Sequence, residues 1–272
     1  MIESSLNNQY PVIISLPHSG TKYSKFFLNS TQLTKNELQL SEDSYVDILL
    51  LNFLKKNISF VKTNFPRSYV DVNRHPFEID PLMISSKIPN FINSKTSKTI
   101  SGIGVIPRVS IYGNEIYNNL LTRKEIIRRL LQCYFPYHKK LKFLIKSLKK
   151  KYTNILVLDF HSMPSSSLVN DTDIVIGSNY NLSCMPAITG LIKNYFKSYN
   201  YIIAENNPYS GGFITKSLGD PLKGVHVIQI EINRSLYMNE KSLFKYKNNM
   251  NILANNINLI LTKLTRDISN FN

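Results

Sequence analysis

The sequence predicts one α/β domain over residues 1–272, built on a mixed, mostly parallel sheet with helices on both faces. Short apolar runs rich in β-branched residues alternate with stretches of helical periodicity, an order typical of sheets joined by crossover helices. Of the 272 residues, 43% are hydrophobic, which is enough to fill one core. The sequence contains neither an internal repeat nor a dividing linker, so a single domain is expected.

The first predicted elements are a buried strand and an amphipathic helix. The strand is PVIISLP at 11–17, an apolar run between two prolines that leads directly into His18. The helix is SEDSYVDILLLNFLKKN at 41–57, where apolar residues recur at helical spacing: Val46, Leu49, Leu50 and Phe53. Acidic residues in the first turn and lysines in the last turn suit the dipole of this helix.

The middle of the chain is predicted to hold two short strands, an irregular segment and a long helix. The strands are ISFVKT and SYVDVN. Residues 78–107 are rich in Ser, Pro, Lys and Asn, which is typical of a surface excursion that can rim a site. Residues 122–151 have an amphipathic helical pattern that we expect to kink or break at Pro136.

Four strands and two helices complete the prediction. The strands are 154–160, 173–177, 199–205 and 224–233, and the helices are 186–197 and 239–266. In LVLDFHS the two-residue period of a strand puts Asp159 and His161 on one face and the apolar side chains on the other. The last strand likewise has a polar row of Gln229, Glu231 and Asn233, which is costly to bury unless it lines a wet pocket.

The charge and the cysteines limit the class of protein. The formal net charge is +15, but the lysines are scattered, which fits a biased codon supply as well as it fits a polyanion-binding surface. Cys133 and Cys184 give neither a disulfide framework nor a CxxC metal pair, so both are expected to stay reduced. The N-terminus lacks a signal-peptide pattern, and no apolar run reaches about 18 residues. We therefore expect a soluble, cytoplasmic protein with no membrane partner.

Polar side chains lie at or near the ends of three predicted strands. His18 and His161 end two of them, and Glu231 lies within the last. Ligands bind beyond the carboxyl ends of strands in open α/β sheets, and imidazoles with carboxylates form zinc sites that leave a fourth position for water. A satisfied polar cap is the alternative for each histidine. Asp159 can orient a metal-bound imidazole, and capping a nearby helix is its alternative.

Two further segments carry candidate polar groups. Asp43 and Asp47 lie four residues apart in the predicted first helix and so share a face, although acids at the start of a helix usually serve capping and the helix dipole. RSYVDVNRHP at 67–76 supplies side chains that can hold an acidic substrate or form a surface ion-pair cluster, namely Arg67, Asp71, Asn73 and Arg74. The loop NPYSGGFIT at 207–215 lacks the strand and helix context of a dinucleotide site.

Nine motifs in chain order carry a resemblance to a known family. They are LPHSG, EDSYVDILL, RSYVDVNRHP, GVIPRVSIYG, PYHKKL, LDFHSMPS, DIVIG, NPYSGGFIT and QIEINRSLYM. Together they resemble the N-formylglutamate amidohydrolase family over nearly the whole chain. The resemblance implies a phosphorylase/hydrolase-like α/β fold related to the zinc carboxypeptidases. It also implies a zinc-dependent amidohydrolase of an N-acyl amino acid, with N-formyl-L-glutamate cleaved to formate and L-glutamate.

The resemblance further implies the ligands of one zinc ion. The histidine of the PHSG segment is His18, that of the DxHS segment is His161, and the acid of the first helix is Asp43. Asp47 is the substitute for Asp43 as the carboxylate ligand. The HxxE pairing of carboxypeptidases is absent, since position 21 is Thr21.

The remaining implied roles concern catalysis and substrate binding. Glu231 is the candidate general base, and Arg67 is expected to stabilise the oxyanion. Asn73 and Arg74 would anchor the amino-acid end, with Arg234 as a second anchor for a dicarboxylate. The expected partner is a small acidic N-acyl amino acid, with no nucleic acid. The alternatives are a zinc hydrolase acting on another N-acyl amino acid or a peptide C-terminus, and a non-catalytic nucleic-acid-binding protein.

Overall fold

The strands of the computed structural model form one sheet. The structure describes residues 1–56, 58–86, 92, 94–168 and 170–271. Its strands are β1 (Ile2–Ser5), β2 (Val12–Leu16), β3 (Ser59–Thr63), β4 (Ile155–Met163), β5 (Ile174–Gly177), β6 (Ile203–Glu205) and β7 (Val225–Asn233). The strand order is β1-β3-β2-β4-β7-β5-β6. β4 pairs parallel with β2 and β7, and β5 pairs parallel with β6 but antiparallel with β7, so the predicted mixed, mostly parallel sheet is confirmed.

The helices differ widely in length. They are α1 (Lys25–Ser30), α2 (Lys35–Gln39), α3 (Val46–Leu49), α4 (Leu51–Leu54), α5 (Ser97–Ile100), α6 (Arg123–Arg129), α7 (Phe135–Lys149), α8 (Pro186–Lys197), α9 (Phe213–Leu218) and α10 (Lys247–Asn270). A π turn at Leu130–Tyr134 joins α6 to α7, and 3-10 turns lie at Pro81–Met83, Ser165–Ser167, Pro221–Lys223 and Arg234–Leu236. In the part of the chain that the structure describes, no helix has the length and apolarity needed to cross a membrane.

The central strands β4 and β7 each have an apolar and a polar face. The apolar face belongs to the hydrophobic core, with Leu156, Leu158 and Phe160 on β4 and Ile228, Ile230 and Ile232 on β7. The opposite face carries the polar side chains Asp159, His161, Gln229 and Glu231, all of them buried. This division follows from the two-residue period of strands, as the sequence predicts.

The chain divides into two compact units. One consists of Met1–Glu3, Pro17–Ser44 and Lys62–Lys140, and the other of Ser4–Leu16, Tyr45–Val61 and Leu141–Asn272. In the second unit, the core joins β2, β4 and β7 to α3, α4, α8 and α10. The single domain expected over residues 1–272 stays a prediction.

The prediction of one helix over 41–57 is wrong. The helix begins later than expected, and it is divided into α3 and α4. Tyr45 has a left-handed backbone (φ 67°), and the helical turn begins only after it, at Val46. The N–H group of Asp43 donates to the carbonyl of His18 at 3.1 Å, so this residue is held outside the helix. Asp43 and Asp47 therefore do not share a helix face, contrary to the prediction.

The strand predicted for SYVDVN is also wrong, because residues 67–69 and 72–73 form turns and the two residues between them have no regular structure. The N–H group of Asp71 donates to the carbonyl of Val105 at 2.8 Å, and His138 Nε2 donates to the carbonyl of Val72 at 2.8 Å. These partners from distant segments take the place of a strand neighbour, and local alternation does not reveal them.

Other predicted elements are close to the observed ones. The helix at 186–197 is α8. The pattern predicted to kink or break at Pro136 is divided by the π turn Leu130–Tyr134, and Pro136 itself lies in the first turn of α7. The last helix starts at Lys247 rather than at 239, because Asn239 Oδ1 accepts the N–H groups of residues 241 and 242 in a turn. Within the irregular segment 78–107, residues 87–91 and 93 lie outside the described part of the chain.

Candidate active site

His18 lies just beyond β2, on a segment whose backbone is held by contacts with other parts of the chain. Its carbonyl accepts the N–H group of Asp43. Two residues on, a Cβ atom at Gly20 would lie 2.2 Å from the carbonyl oxygen of Phe65, so only glycine permits this close approach. The LPHSG motif thus fixes where the imidazole stands.

The imidazole of His18 lies between two buried carboxylates. Its Nε2 atom is 2.7 Å from Oδ1 of Asp71, and its Nδ1 atom is 3.3 Å from Oδ2 of Asp43. Burial alone would raise the pKa of Asp71, but the charges of His18 and Arg67 outweigh burial and hold this pKa well below its usual range. Asp71 is therefore an acceptor, and in the neutral form of the ring, which a metal ligand requires, the lone pair lies on Nδ1.

Arg67 donates hydrogen bonds to buried carboxylates from both its side chain and its backbone. Its Nε and Nη2 atoms donate to Oδ2 of Asp71 at 3.2 and 2.9 Å. Its N–H group donates to Oε2 of Glu42 at 2.8 Å, and the hydroxyls of Ser68 and Tyr23 donate to Oε1 of the same carboxylate. Burial raises the pKa of Glu42 to about 8. These contacts fix the start of the loop 67–74.

Helices α6 and α7 hold the middle of this loop. Arg129 is fully buried, donates through Nη1 to the carbonyl of Tyr69 at 3.3 Å, and lies over the Tyr69 ring at 4.2 Å. His138 donates to the carbonyl of Val72. Side chains of one helical segment thus donate to backbone carbonyls that, in a strand, would accept hydrogen bonds from a neighbouring strand.

Asn73 and Arg74 end the loop. The N–H group of Asn73 donates to Oδ1 of Asp71 at 2.8 Å. Arg74 donates through Nε to the carbonyl of Ile103 at 3.0 Å, and its own carbonyl accepts the Tyr134 hydroxyl at 2.8 Å. The irregular segment 78–107 therefore contacts a candidate substrate-binding residue, as expected for a segment that rims a site.

His161 lies near the carboxyl end of β4, and its imidazole contacts the carboxylate of Asp159. Its Nε2 atom is 3.0 Å from Oδ2 of Asp159, and Oδ1 of Asp159 accepts the Ser15 hydroxyl at 2.6 Å. Ser15 and Asp159 are direct neighbours on β2 and β4. Asp159 and His161 point to the same side of the sheet, and the carboxylate leaves Nδ1 of the neutral imidazole as the nitrogen with a lone pair.

Glu231 lies in register beside His161, on the neighbouring parallel strand β7. It is buried, with 7% of its surface exposed. The Nε2 group of Gln229 donates to its Oε1 atom at 2.7 Å. The carboxylate of Glu231 therefore faces the same side of the sheet as the imidazole of His161.

Arg234 follows β7 and is also buried. Its Nε atom donates to Oγ of Ser162 at 3.1 Å, and its Nη2 atom is 3.4 Å from the carbonyl of Ser162. Ser162 belongs to the DFHS segment, so one motif supplies His161 and orients this guanidinium.

His18, Asp43 and His161 form a group that could hold a metal ion. Each offers one ligand atom, the three atoms all lie within 4.8 Å of one another, and all three residues are buried. The group contains the three residues named from the family resemblance, and it does not contain Asp47. It is the basis for a metal site, and the identity of the ion remains a prediction.

Comparison with known proteins decides the family. The model of the N-formylglutamate amidohydrolase family matches residues 10–238. The chain belongs to this family. Membership in the N-formylglutamate amidohydrolase family supports an enzyme that hydrolyses amide bonds.

Individual proteins that are similar to this chain agree with this assignment. The N-formylglutamate deformylase of Pseudomonas aeruginosa is 26% identical over 247 residues, 87% of this chain and 85% of that protein. That of Pseudomonas putida is 25% identical over 250 residues, 88% and 86% of the two chains. The crystal structure of N-formylglutamate amidohydrolase from Ralstonia eutropha JMP134 has a TM-score of 0.91 at 26% identity and covers 98% of each chain. The gene product Atu2144 of Agrobacterium tumefaciens, with a TM-score of 0.70 at 17% identity over 98% and 94%, shares the fold.

Three buried residues of this family member have partners that local sequence patterns do not reveal. Asp71 contacts His18, Glu42 holds the start of the loop 67–74, and Gln229 contacts Glu231. Only Gln229 has a local signal, since it lies two residues before Glu231 on the same face of a strand. The others depend on contacts between distant parts of the chain.

Proposed function

We propose that this chain is a zinc-dependent hydrolase that cleaves N-formyl-L-glutamate to formate and L-glutamate. The observation that carries the proposal is the group of His18, Asp43 and His161 in a member of the N-formylglutamate amidohydrolase family. The similar proteins from Pseudomonas are named N-formylglutamate deformylases, which supports formyl as the acyl group.

The donor set fits one zinc ion. Two imidazoles and one carboxylate, with a fourth position for water, are a ligand pattern of catalytic zinc sites. Tetrahedral ligands at about 2.0–2.1 Å from zinc lie about 3.3 Å apart, and Nδ1 of His18 is 3.3 Å from Oδ2 of Asp43. Asp71 and Asp159 lie at the other ring nitrogen of each histidine, where metal-bound histidines commonly donate to a carboxylate.

Glu231 is our candidate for proton transfer. When bound, zinc would polarise the formyl carbonyl as a Lewis acid and lower the pKa of a water molecule. The Glu231 carboxylate takes the proton of the attacking water and passes it to the amide nitrogen as the C–N bond breaks. The water oxygen leaves in formate, and the nitrogen leaves as the amine of L-glutamate. The position of Glu231 beside His161 supports this role.

Arg67 is our candidate for stabilising the negative charge that develops on the formyl oxygen. Its guanidinium is directed by Asp71, and its side chain keeps 25% of its surface exposed. Although burial alone would lower it, the carboxylates of Asp71 and Asp43 raise the pKa of Arg67, so the group stays cationic. A preorganised cation of this kind lowers the barrier because it needs no reorientation during the reaction.

Three polar residues are our candidates for binding the carboxylates of the substrate. Asn73 and Arg74 would hold the α-carboxylate, and Arg234 would hold the side-chain carboxylate. Arginine suits both tasks because its planar guanidinium pairs with a carboxylate through two hydrogen bonds. The hydrogen bonds of Arg74 to Ile103 and of Arg234 to Ser162 orient these groups and support the assignment.

The test is formate release from N-formyl-L-glutamate by the purified protein, measured together with its metal content. We expect about one zinc per chain, loss of formate release with a chelator, and recovery when zinc is restored. N-acetyl-L-glutamate in parallel reports on acyl size. A metal-free protein on which zinc has no effect, combined with salt-sensitive binding to polyanions, would favour the nucleic-acid-binding alternative.

A further inference from the structure

The buried side-chain amide of Gln229 forms hydrogen bonds through both its nitrogen and its oxygen. Its Nε2 group donates to Oε1 of Glu231 at 2.7 Å, and its Oε1 atom accepts the N–H group of Gly212 at 2.7 Å. Only 4% of its surface is exposed. Because a carboxylate can only accept and a backbone N–H can only donate, these partners allow one orientation of the amide. The side chain is thus a rigid link between Glu231 and the loop that ends at Gly212.

The backbone of residues 209–211 packs against β5, the strand that pairs with β7 at Gln229. Gly177 on β5 is the direct neighbour of Gln229 in the sheet. A Cβ atom at Gly177 would lie 2.8 Å from the carbonyl oxygen of Tyr209 and 2.9 Å from the nitrogen of Gly211. The backbone of 209–211 therefore occupies the space that a side chain would fill, and Gly211 has a φ of +123°, which favours glycine. The acceptor end of Gln229 is anchored to this well-defined backbone.

We propose that Gln229 is a positioning residue that fixes the Glu231 carboxylate for proton transfer by tying it to the backbone of Gly212. This inference rests on the proposed function, in which Glu231 is the general base. The hydrogen bond to Oε1 sets the plane of the carboxylate, and the bond to Gly212 prevents the amide from turning away. A general base is effective only when its oxygen is held within hydrogen-bond reach of the proton that it takes.

A merely structural role for Gln229 predicts a different result from a positioning role. Loss of a structural hydrogen bond lowers stability and leaves turnover by the folded enzyme unchanged. Loss of a positioning hydrogen bond lowers kcat, while KM stays the same because the two ends of the Gln229 amide bond to Glu231 and Gly212. The split between kcat and KM therefore separates the two roles.

The experiment compares two substitutions of Gln229 with a matched control on the same strand. Gln229→Met keeps the length of the side chain and removes both hydrogen bonds, whereas Gln229→Glu keeps an acceptor for Gly212 and removes the donor to Glu231. His226→Leu is the control, because His226 is equally buried on β7 and also bonds at both ring nitrogens, to Asn154 and Met185. The control should lose thermal stability and keep kcat.

We expect kcat for N-formyl-L-glutamate to fall about 10–100-fold in both Gln229 variants, the loss typical of orienting partners at such sites, with KM within about twofold. Crystal structures of the wild type and Gln229→Met should show the Glu231 carboxylate rotated in the variant. Unchanged kcat together with an unmoved carboxylate would overturn the inference. If the wild type releases no formate, the proposed function fails, and the crystal structures alone decide whether Gln229 positions Glu231.

Discussion

His18 donates its Nε2–H group to Oδ1 of Asp71 across 2.7 Å, with both side chains almost completely buried. The two residues are separated by 53 positions in the chain. The contact determines which imidazole nitrogen carries a lone pair, and it links His18 to Arg67 through the second oxygen of the same carboxylate. A candidate metal ligand, its orienting carboxylate and a candidate oxyanion partner thus form one connected group.

Asp71→Asn should weaken metal binding without removing a ligand. The change keeps the size of the side chain but removes the charge that orients and polarises His18, so we expect metal affinity to fall about 10–100-fold. Competition with a chromophoric chelator measures this affinity. Asp80→Asn is the control, because Asp80 is an equally buried carboxylate that pairs with Arg108 rather than with a histidine. Wild-type affinity in Asp71→Asn would contradict the role of this carboxylate.

The two candidate acidic ligands can be separated by a matched pair of substitutions. Asp43 is buried with Oδ2 3.3 Å from Nδ1 of His18, whereas Asp47 lies on α3 outside the group of donor atoms. Asp43→Asn should lose stoichiometric zinc, and Asp47→Asn should retain about one zinc per chain, as measured by elemental analysis after gel filtration. The reverse result would assign the ligand to Asp47.

His226 should make the fold less stable in mildly acidic solution. Burial lowers its pKa, and the nearby charge of Lys149 lowers it further. The neutral ring donates to Asn154 and accepts the N–H group of Met185, so protonation would break the second bond. Below about pH 6.5 the unfolded chain binds a proton that the folded chain excludes, so stability should fall as the pH falls.

Thermal unfolding between pH 8 and pH 5.5 checks this prediction. The midpoint of the wild type should decrease towards acid, and His226→Gln should show a smaller decrease over the same range. Parallel curves for the two proteins would mean that another group is responsible.

Cys133 and Cys184 should be unreactive in the folded protein. Both are completely buried, and burial raises the pKa of each thiol to about 12. Because the thiolate is the reactive form, a chromogenic disulfide reagent at pH 8 should find no thiol in the native protein and two in denaturant. Rapid labelling of the native protein would show that one of these cysteines is accessible.

Local periodicity predicts those parts of the site that a single strand presents. His161 with Asp159, and Glu231 with Gln229, share a face because strand side chains alternate, and this can be deduced from the sequence. The same reasoning fails for Asp43, because the helix that it was expected to start is delayed by a hydrogen bond to the carbonyl of His18.

The loop 67–74 shows the same limit. Its alternating residues have the pattern of a strand, yet Arg129 and His138 satisfy its carbonyls from a helical segment far along the chain. No local pattern contains that information. The order of the family motifs supplies part of it, since the RSYVDVNRHP motif includes both Asp71 and Arg67.

Glu231→Gln tests directly whether this carboxylate transfers the proton in a metal-dependent amide hydrolysis. Formate release and zinc content should be measured on the same preparation of the variant. We predict about one zinc per chain, as in the wild type, and a kcat reduced about 10³-fold. A variant that keeps its zinc and hydrolyses N-formyl-L-glutamate at the wild-type rate would show that Glu231 does not transfer the proton.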